Sequence, residues 1–247
     1  MLQGFISSFS AYLRAFDFIG QNNLWRYFLA PAVISVALGL AIFGTAWGVS
    51  DNLGDWLISF YPWEWGKPVI ERIAAVFGAL FVIALGLILF KHLVMAFASP
   101  FMSPLSEKTE EILTGRPSTA TFSPSQMLSD LVRGLRLAIR NIIRELFFTF
   151  LLFLLGLIPI FSPLAPVVIF FVQAYYAGFG NMDFTLERHF RVRGSVQFVR
   201  KHKGIALGNG AAFLLLLLTG FGFLVALPLG AVAAALETTQ KISSSKT

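Results

Sequence analysis

Arg133, Arg136, Arg140 and Arg144 recur at spacings of three and four residues, which on an α-helix puts all four on one face. A guanidinium is a planar, permanently charged fork, so such a stripe would attract a tetrahedral oxyanion. It equally suits a helix lying on a membrane with its arginines among lipid phosphates. Upstream, Ser103-Pro104 reads as a helix start, with serine as the capping residue, proline at the first helical position and Gly115 as the stop. The N–H groups of Leu105, Ser106 and Glu107 would then lack helical partners at the positive end of a helix dipole. That arrangement either holds an oxyanion or is simply a capped helix end.

Glu107, Lys108 and Glu110 follow within this helix. The dipole favours carboxylates there, so they read as a solvated face or as groups that couple or gate a proton-linked step. His92, beside Lys91 at the end of an apolar run, reads as interfacial or as a pH-sensing group. Enzyme chemistry has no foothold: there is no P-loop, Gly-x-Ser-x-Gly or Gly-x-Gly-x-x-Gly. His92, His189 and His202 show neither metal spacing nor an obvious carboxylate partner. The absence of Cys excludes disulfides, iron–sulfur clusters and thiolate zinc sites. No enzyme, cofactor or metal is expected.

The elements that must position these residues are set by composition. Of 247 residues, 56% are apolar and 13% charged, against roughly a quarter charged in soluble domains. A mean hydropathy of +0.74 points to lipid as the solvent for much of the chain, read as one membrane domain spanning 1–247. The N-terminus lacks the basic start and cleavage site of a signal peptide. Tyr27–Val49 and Ile73–Phe90 are charge-free runs of spanning length. Leu146–Met182 and Gly204–Leu236 are each too long for one span and short for two. Both are broken midway, by Gly156, Pro159, Ser162, Pro163 and Pro166 and by Thr219, Gly220 and Gly222.

These patterns predict an all-α integral membrane protein: two long transmembrane helices, two half-penetrating helical hairpins with arms of about 13 to 17 residues, and amphipathic basic helices. Six short tilted spans are the alternative. Hairpin tips must be shielded from lipid, which argues for helices packing together or for an oligomer that covers them. Residues 125–145 form the amphipathic helix, with Leu128, Leu131, Leu135, Ile139 and Ile142 opposite the arginines. Seven basic residues lie between Lys91 and Glu145, and six between Asp183 and Lys203, whereas residues 50–72 hold two against four acids. The positive-inside rule makes both termini and both basic connectors cytoplasmic, with the loop around Tyr61, Trp63 and Trp65 outside. The net charge of +6 reads as this orientation rather than as nucleic-acid binding. Gly44 and Gly48 form a small-xxx-small pattern that would bring helices together.

The stretch Ser99-Pro-Phe-Met-Ser-Pro-Leu-Ser-Glu-Lys-Thr-Glu-Glu-Ile-Leu-Thr-Gly115 resembles the signature of the CysZ sulfate permeases, in which Pro-Phe-Asn-Gly-Leu-Leu-Ala-Glu follows the second membrane helix. Leu24–Pro31, Asp183–His189, Lys201–Gly208 and the final apolar segment with Pro228 agree in order and position. The resemblance implies a bacterial inner-membrane protein that assembles as an oligomer and moves sulfate inward for cysteine synthesis. It also implies sulfate binding by Arg26 and by the backbone of Ser103, Leu105 and Ser106. Two departures stand out: Trp25 replaces the first of two adjacent arginines, and Pro104 cannot donate an N–H. A membrane scaffold without transport activity is the competing expectation.

Overall fold

The computed structural model describes residues 1–42, 44, 67–117, 123–156, 158, 160, 161 and 163–244, with side chains of the third helix from residue 85 onward. Among the described residues are eight α-helices and no strand. They are α1 (Leu2–Gln21), α2 (residues 29–42, preceded by a 3-10 turn at Leu24–Phe28), α3 (Lys67–Thr114), α4 (Pro124–Gly156), α5 (Ala165–Leu186), α6 (Val192–Lys201), α7 (Lys203–Leu217) and α8 (Ala226–Ser244). The aromatic loop around Trp63, Gly48 and the tip residues Pro159 and Ser162 lie outside the described residues.

Leu24–Ile42 and Leu85–Thr114 are long and apolar enough to cross a membrane. The second does not stop at Phe90 as expected. α3 runs on for 48 residues with Pro100 and Pro104 inside it. Two features allow this. Lys91 is neutralised inside the protein by Glu145, so the charge does not mark an exit to water. Pro100 removes the N–H that would bond the Ala96 carbonyl, and the Ser99 hydroxyl donates to that carbonyl instead, at 2.8 Å. Ser103 donates to Ser99 O at 2.9 Å, not to the Pro100 carbonyl that Pro104 leaves without its amide. Gly115, at φ +68°, ends the helix as expected.

The same Ser-Pro dipeptide behaves differently at Ser123-Pro124. There the serine does cap a helix, its Oγ accepting from Gln126 N–H at 3.2 Å. α4 then continues for 33 residues, about 50 Å, so the basic amphipathic segment and the first apolar arm are one helix. Its apolar side is also reversed from a soluble pattern. Asp130, Asn141, Glu145 and Thr149 are buried, while Leu128, Ile139 and Ile143 are exposed, as suits a helix with lipid outside and polar partners within.

α4 and α5 contact each other across the turn after Gly156, and α7 and α8 contact across residues 218–225. In the second turn Gly220 takes φ +81°. Thr219 accepts from Gly222 N–H at 3.1 Å and donates to Leu216 O at 2.7 Å. α5 and α8, at 22 and 19 residues, exceed the expected arm length; α7, at 15, matches it.

Close packing comes from small residues. A Cβ on Gly178 of α5 would overlap the Ala206 carbonyl of α7, and one on Gly210 of α7 would overlap the Ala174 carbonyl of α5. Gly204 and Gly208 receive the Met1 and Phe5 carbonyls at α1 in the same way. Without a hydrophobic drive between helices in lipid, such backbone approach is what holds them. Asn181 donates to Asn209 Oδ1 at 2.8 Å and Asn209 to Gly230 O at 3.1 Å, tying α5, α7 and α8 together in the core.

Candidate functional site

One face of α3 carries Lys91, His92, Ser99, Ser103, Ser106, Thr109 and Glu110, and most of these are buried. Three polar clusters form where this face meets α4 and α5. The first is an ion triad: Lys91 bonds Glu145, and His92 Nε2 lies 2.8 Å from Glu145 Oε2. Lys91 also donates to Gln173 O at 3.2 Å. All three side chains are nearly inaccessible. His92 is therefore not interfacial, and its carboxylate partner comes from α4, 53 residues away.

The second cluster centres on Arg133. Its guanidinium clasps Asp183 through two bonds of 3.0 and 2.9 Å, donates to Phe190 O at 3.1 Å and reaches Ser195 Oγ at 3.0 Å. Glu187 lies 3.8 Å away. Burial pushes the Glu187 carboxyl up to about 8, with Asp183 adding like-charge repulsion and the Ser103 hydroxyl pulling the other way. A cavity of about 20 Å³ between His92, Ser99, Asn141, Asp183 and Glu187 has room for one water.

The third cluster lies at the end of α5. Arg188 donates to Glu110 Oε2 from Nε at 3.1 Å and from Nη2 at 2.8 Å. The same Nη2 donates to Ser106 Oγ at 3.1 Å, and Nη1 donates to Phe184 O at 2.7 Å and to Ser103 O at 3.5 Å. His189 Nε2 lies 2.7 Å from Glu110 Oε1, and Ser106 and Thr185 share a hydrogen bond of 2.9 Å. Five N–H groups of a half-buried guanidinium thus converge on oxygens, the geometry an oxyanion would use.

Ser103, Leu105 and Ser106 are brought together, but not at a helix start. They lie inside α3, where each N–H that is not proline's has a helical acceptor four residues back. The expected row of open N–H groups is therefore absent, because the Ser103 hydroxyl turns back on Ser99 O rather than capping forward. Arg26 is exposed, donating to Tyr27 Oη at 3.3 Å and stacking over that ring at 5.0 Å. Its turn contacts α3, and Leu24, Tyr27 and Phe28 share a core with Met102 and Leu105.

Lys108 pairs with Glu111 at 3.0 Å, and Glu107 lies one turn before on the same helix. The arginine stripe of α4 divides. Arg133 is committed to Asp183, Arg140 donates to Asn141 Oδ1 at 2.7 Å and stands over the Phe179 ring at 5.3 Å, and Arg136 and Arg144 are exposed. The residues missed at sequence level are Glu145, Asp183 and Arg188 as partners. Arg188 belongs to the second basic cluster with Arg191, Arg193, Arg200, Lys201 and Lys203, but nothing in its spacing says that it alone turns inward.

Among the described residues all regular structure is helical, two helices are long and apolar enough to cross a membrane, and ion networks are buried between the helices, the features of a helical membrane protein. Its sequence matches the family described as sulfate transporter CysZ/etoposide-induced protein 2.4 over residues 11–228. The chain belongs to that family, in agreement with the resemblance read from Ser99–Gly115.

Proposed function

We propose that the chain is a membrane permease for sulfate or a closely similar oxyanion, with its binding site where Arg188 meets Ser106. The observation that carries this reading is the convergence of Arg188 on Ser106 Oγ, Ser103 O and Glu110, on the polar face of the longest apolar helix. Glu110 acts as an internal anion that holds the guanidinium fork until sulfate replaces it. Ser106 then offers its hydroxyl where the family motif offers backbone amides. Arg26, on a turn packed against the same stretch of α3, supplies a second cation at the approach. Glu110, paired with His189, can pass a proton as sulfate enters, which links flux to pH; Lys108 and Glu107 are the adjoining ionisable groups, while His92 sits about five turns back along α3 with Glu145. The protein sits in a bacterial inner membrane with both termini cytoplasmic, and copies of the chain cover the turns between α4 and α5 and between α7 and α8.

Labelled sulfate uptake into proteoliposomes tests the site. Arg188→Lys keeps the charge but loses the fork, and should lower flux about tenfold or more, since a charged hydrogen bond contributes roughly 1.5–3 kcal/mol. Arg26→Ala, at an exposed position, should reduce flux while insertion and helicity persist. Unchanged uptake in both variants would remove the site.

One observation favours a second reading, a scaffold on the same fold that transports nothing. α3 is continuous through Ser103–Ser106, and Arg188 already has protein partners for its donors. That reading predicts no flux in liposomes and a stoichiometric protein partner retained in detergent.

A further inference from the structure

A groove of about 1030 Å³ opens between α4, α5 and the α6–α7 corner, away from the three polar clusters. Its lining is graded. Arg140 and Arg144 of α4, Arg200 of α6 and Lys203 of α7 gather with Tyr175 and Tyr176 at one end, while Phe147, Phe148, Val168 and Phe171 line the rest. The grading follows from the antiparallel helices: positions 140, 144, 147 and 148 form one face of α4, and 168, 171, 175 and 176 the opposing face of α5.

Among the described residues no carboxylate pairs with Arg144, Arg200 or Lys203, all of which are exposed. Glu145, next in sequence and about 100° further round the helix, is bonded to Lys91 and His92. The like charges repel one another: Arg144 and Arg200 both act unfavourably on Arg140. Three unpaired cations at the end of an aromatic trough form half of a complementary pair. The missing half is an amphiphile with an anionic head and an apolar tail. The volume far exceeds that of a small inorganic ion and lies at the upper end of ligand sites.

We propose that this groove is a binding site for an anionic phospholipid. The phosphate sits among Arg144, Arg200 and Lys203 with the Tyr175 hydroxyl beside it, and one acyl chain lies along Phe147, Phe148 and Phe171. The site is distinct from the sulfate site proposed at Arg188 and stands whether or not the chain transports anything.

The test is lipid retention by native mass spectrometry. The full chain is reconstituted into vesicles of phosphatidylcholine and phosphatidylglycerol in equal amounts, then extracted. Wild-type protein should carry phosphatidylglycerol in preference to phosphatidylcholine. Arg144→Gln/Arg200→Gln should lower that retention roughly tenfold, each cation near a lipid surface giving several-fold. Arg191→Gln/Arg193→Gln removes the same charge outside the groove and should change retention little. Phosphatidylglycerol with a photoactivatable acyl chain should label peptides within residues 143–172 of the wild-type protein, so the proposal is testable even if the double variant inserts poorly. Equal retention in both double variants, labelling elsewhere on the chain, or displacement of the lipid by inorganic phosphate would each overturn it. Displacement would assign the groove to a free anion.

Discussion

At the scale of single residues, the most consequential contacts join positions far apart in the chain. Among the described residues Glu145 alone pairs with Lys91 and His92, with all three nearly inaccessible. Removing one partner of such a buried ion pair leaves an uncompensated charge, a cost of about 3–5 kcal/mol. Glu145→Gln should therefore lower thermal stability in detergent sharply, and Lys91→Met added to it should recover much of the loss. A double variant no more stable than Glu145→Gln would show that the triad is not an electrostatic unit. Glu187 supplies a pH dependence. Its folded carboxyl is held at about 8 against an ordinary 4.5, so the folded state keeps a proton that the unfolded state releases. The contribution of Glu187 to stability is then complete below about pH 4.5 and is lost as pH rises towards about 8. Glu187→Gln should flatten that slope in melting curves; a slope unchanged by the variant would place its origin elsewhere. These partners were not legible in the sequence, because helix periodicity reports faces and not which distant face comes to meet them. His92 looked like a span-end residue for that reason.

At the scale of elements, the apolar runs and turn residues did announce most helices. Gly115, Pro124 and Gly220 fall at or beside real ends through conformational preferences that act locally, and Gly156 ends α4 where an added Cβ would crowd Ala165. The Ser-Pro dipeptide was ambiguous for a physical reason. A serine can cap forward onto the N–H groups ahead or turn back onto a carbonyl of its own helix, and only tertiary packing chooses. Ser123 does the first and Ser103 the second. Ser99 offsets the bond lost to Pro100, so Ser99→Ala should destabilise α3 by about 1 kcal/mol and Pro100→Ala should restore it. Independent losses in the two variants, measured by chemical unfolding, would contradict this role. The α5–α7 contact depends on the absence of side chains at Gly178 and Gly210. Gly210→Leu should force the helices apart and abolish the stable fold, whereas Gly44→Leu, in open space, should be tolerated. A Gly210→Leu protein with wild-type melting behaviour would refute the packing.

At the scale of the whole molecule, fold class followed from composition and run length, while the depth of the two helix–turn–helix units did not. The chain contains no Cys, so Ile160→Cys and Phe221→Cys, both highly exposed near the turns, report topology without interference. Hairpins that enter and return from the cytoplasmic side leave both cysteines unreactive to a membrane-impermeant reagent applied outside; six spans would make both reactive. The family match and the Arg188–Ser106–Glu110 cluster together support transport of an oxyanion, and that claim has a direct test. Purified wild-type protein in sealed proteoliposomes should take up labelled sulfate saturably, with excess unlabelled sulfate competing and chloride failing to. Uptake no greater than in empty liposomes, from protein shown to be folded and inserted, would contradict it.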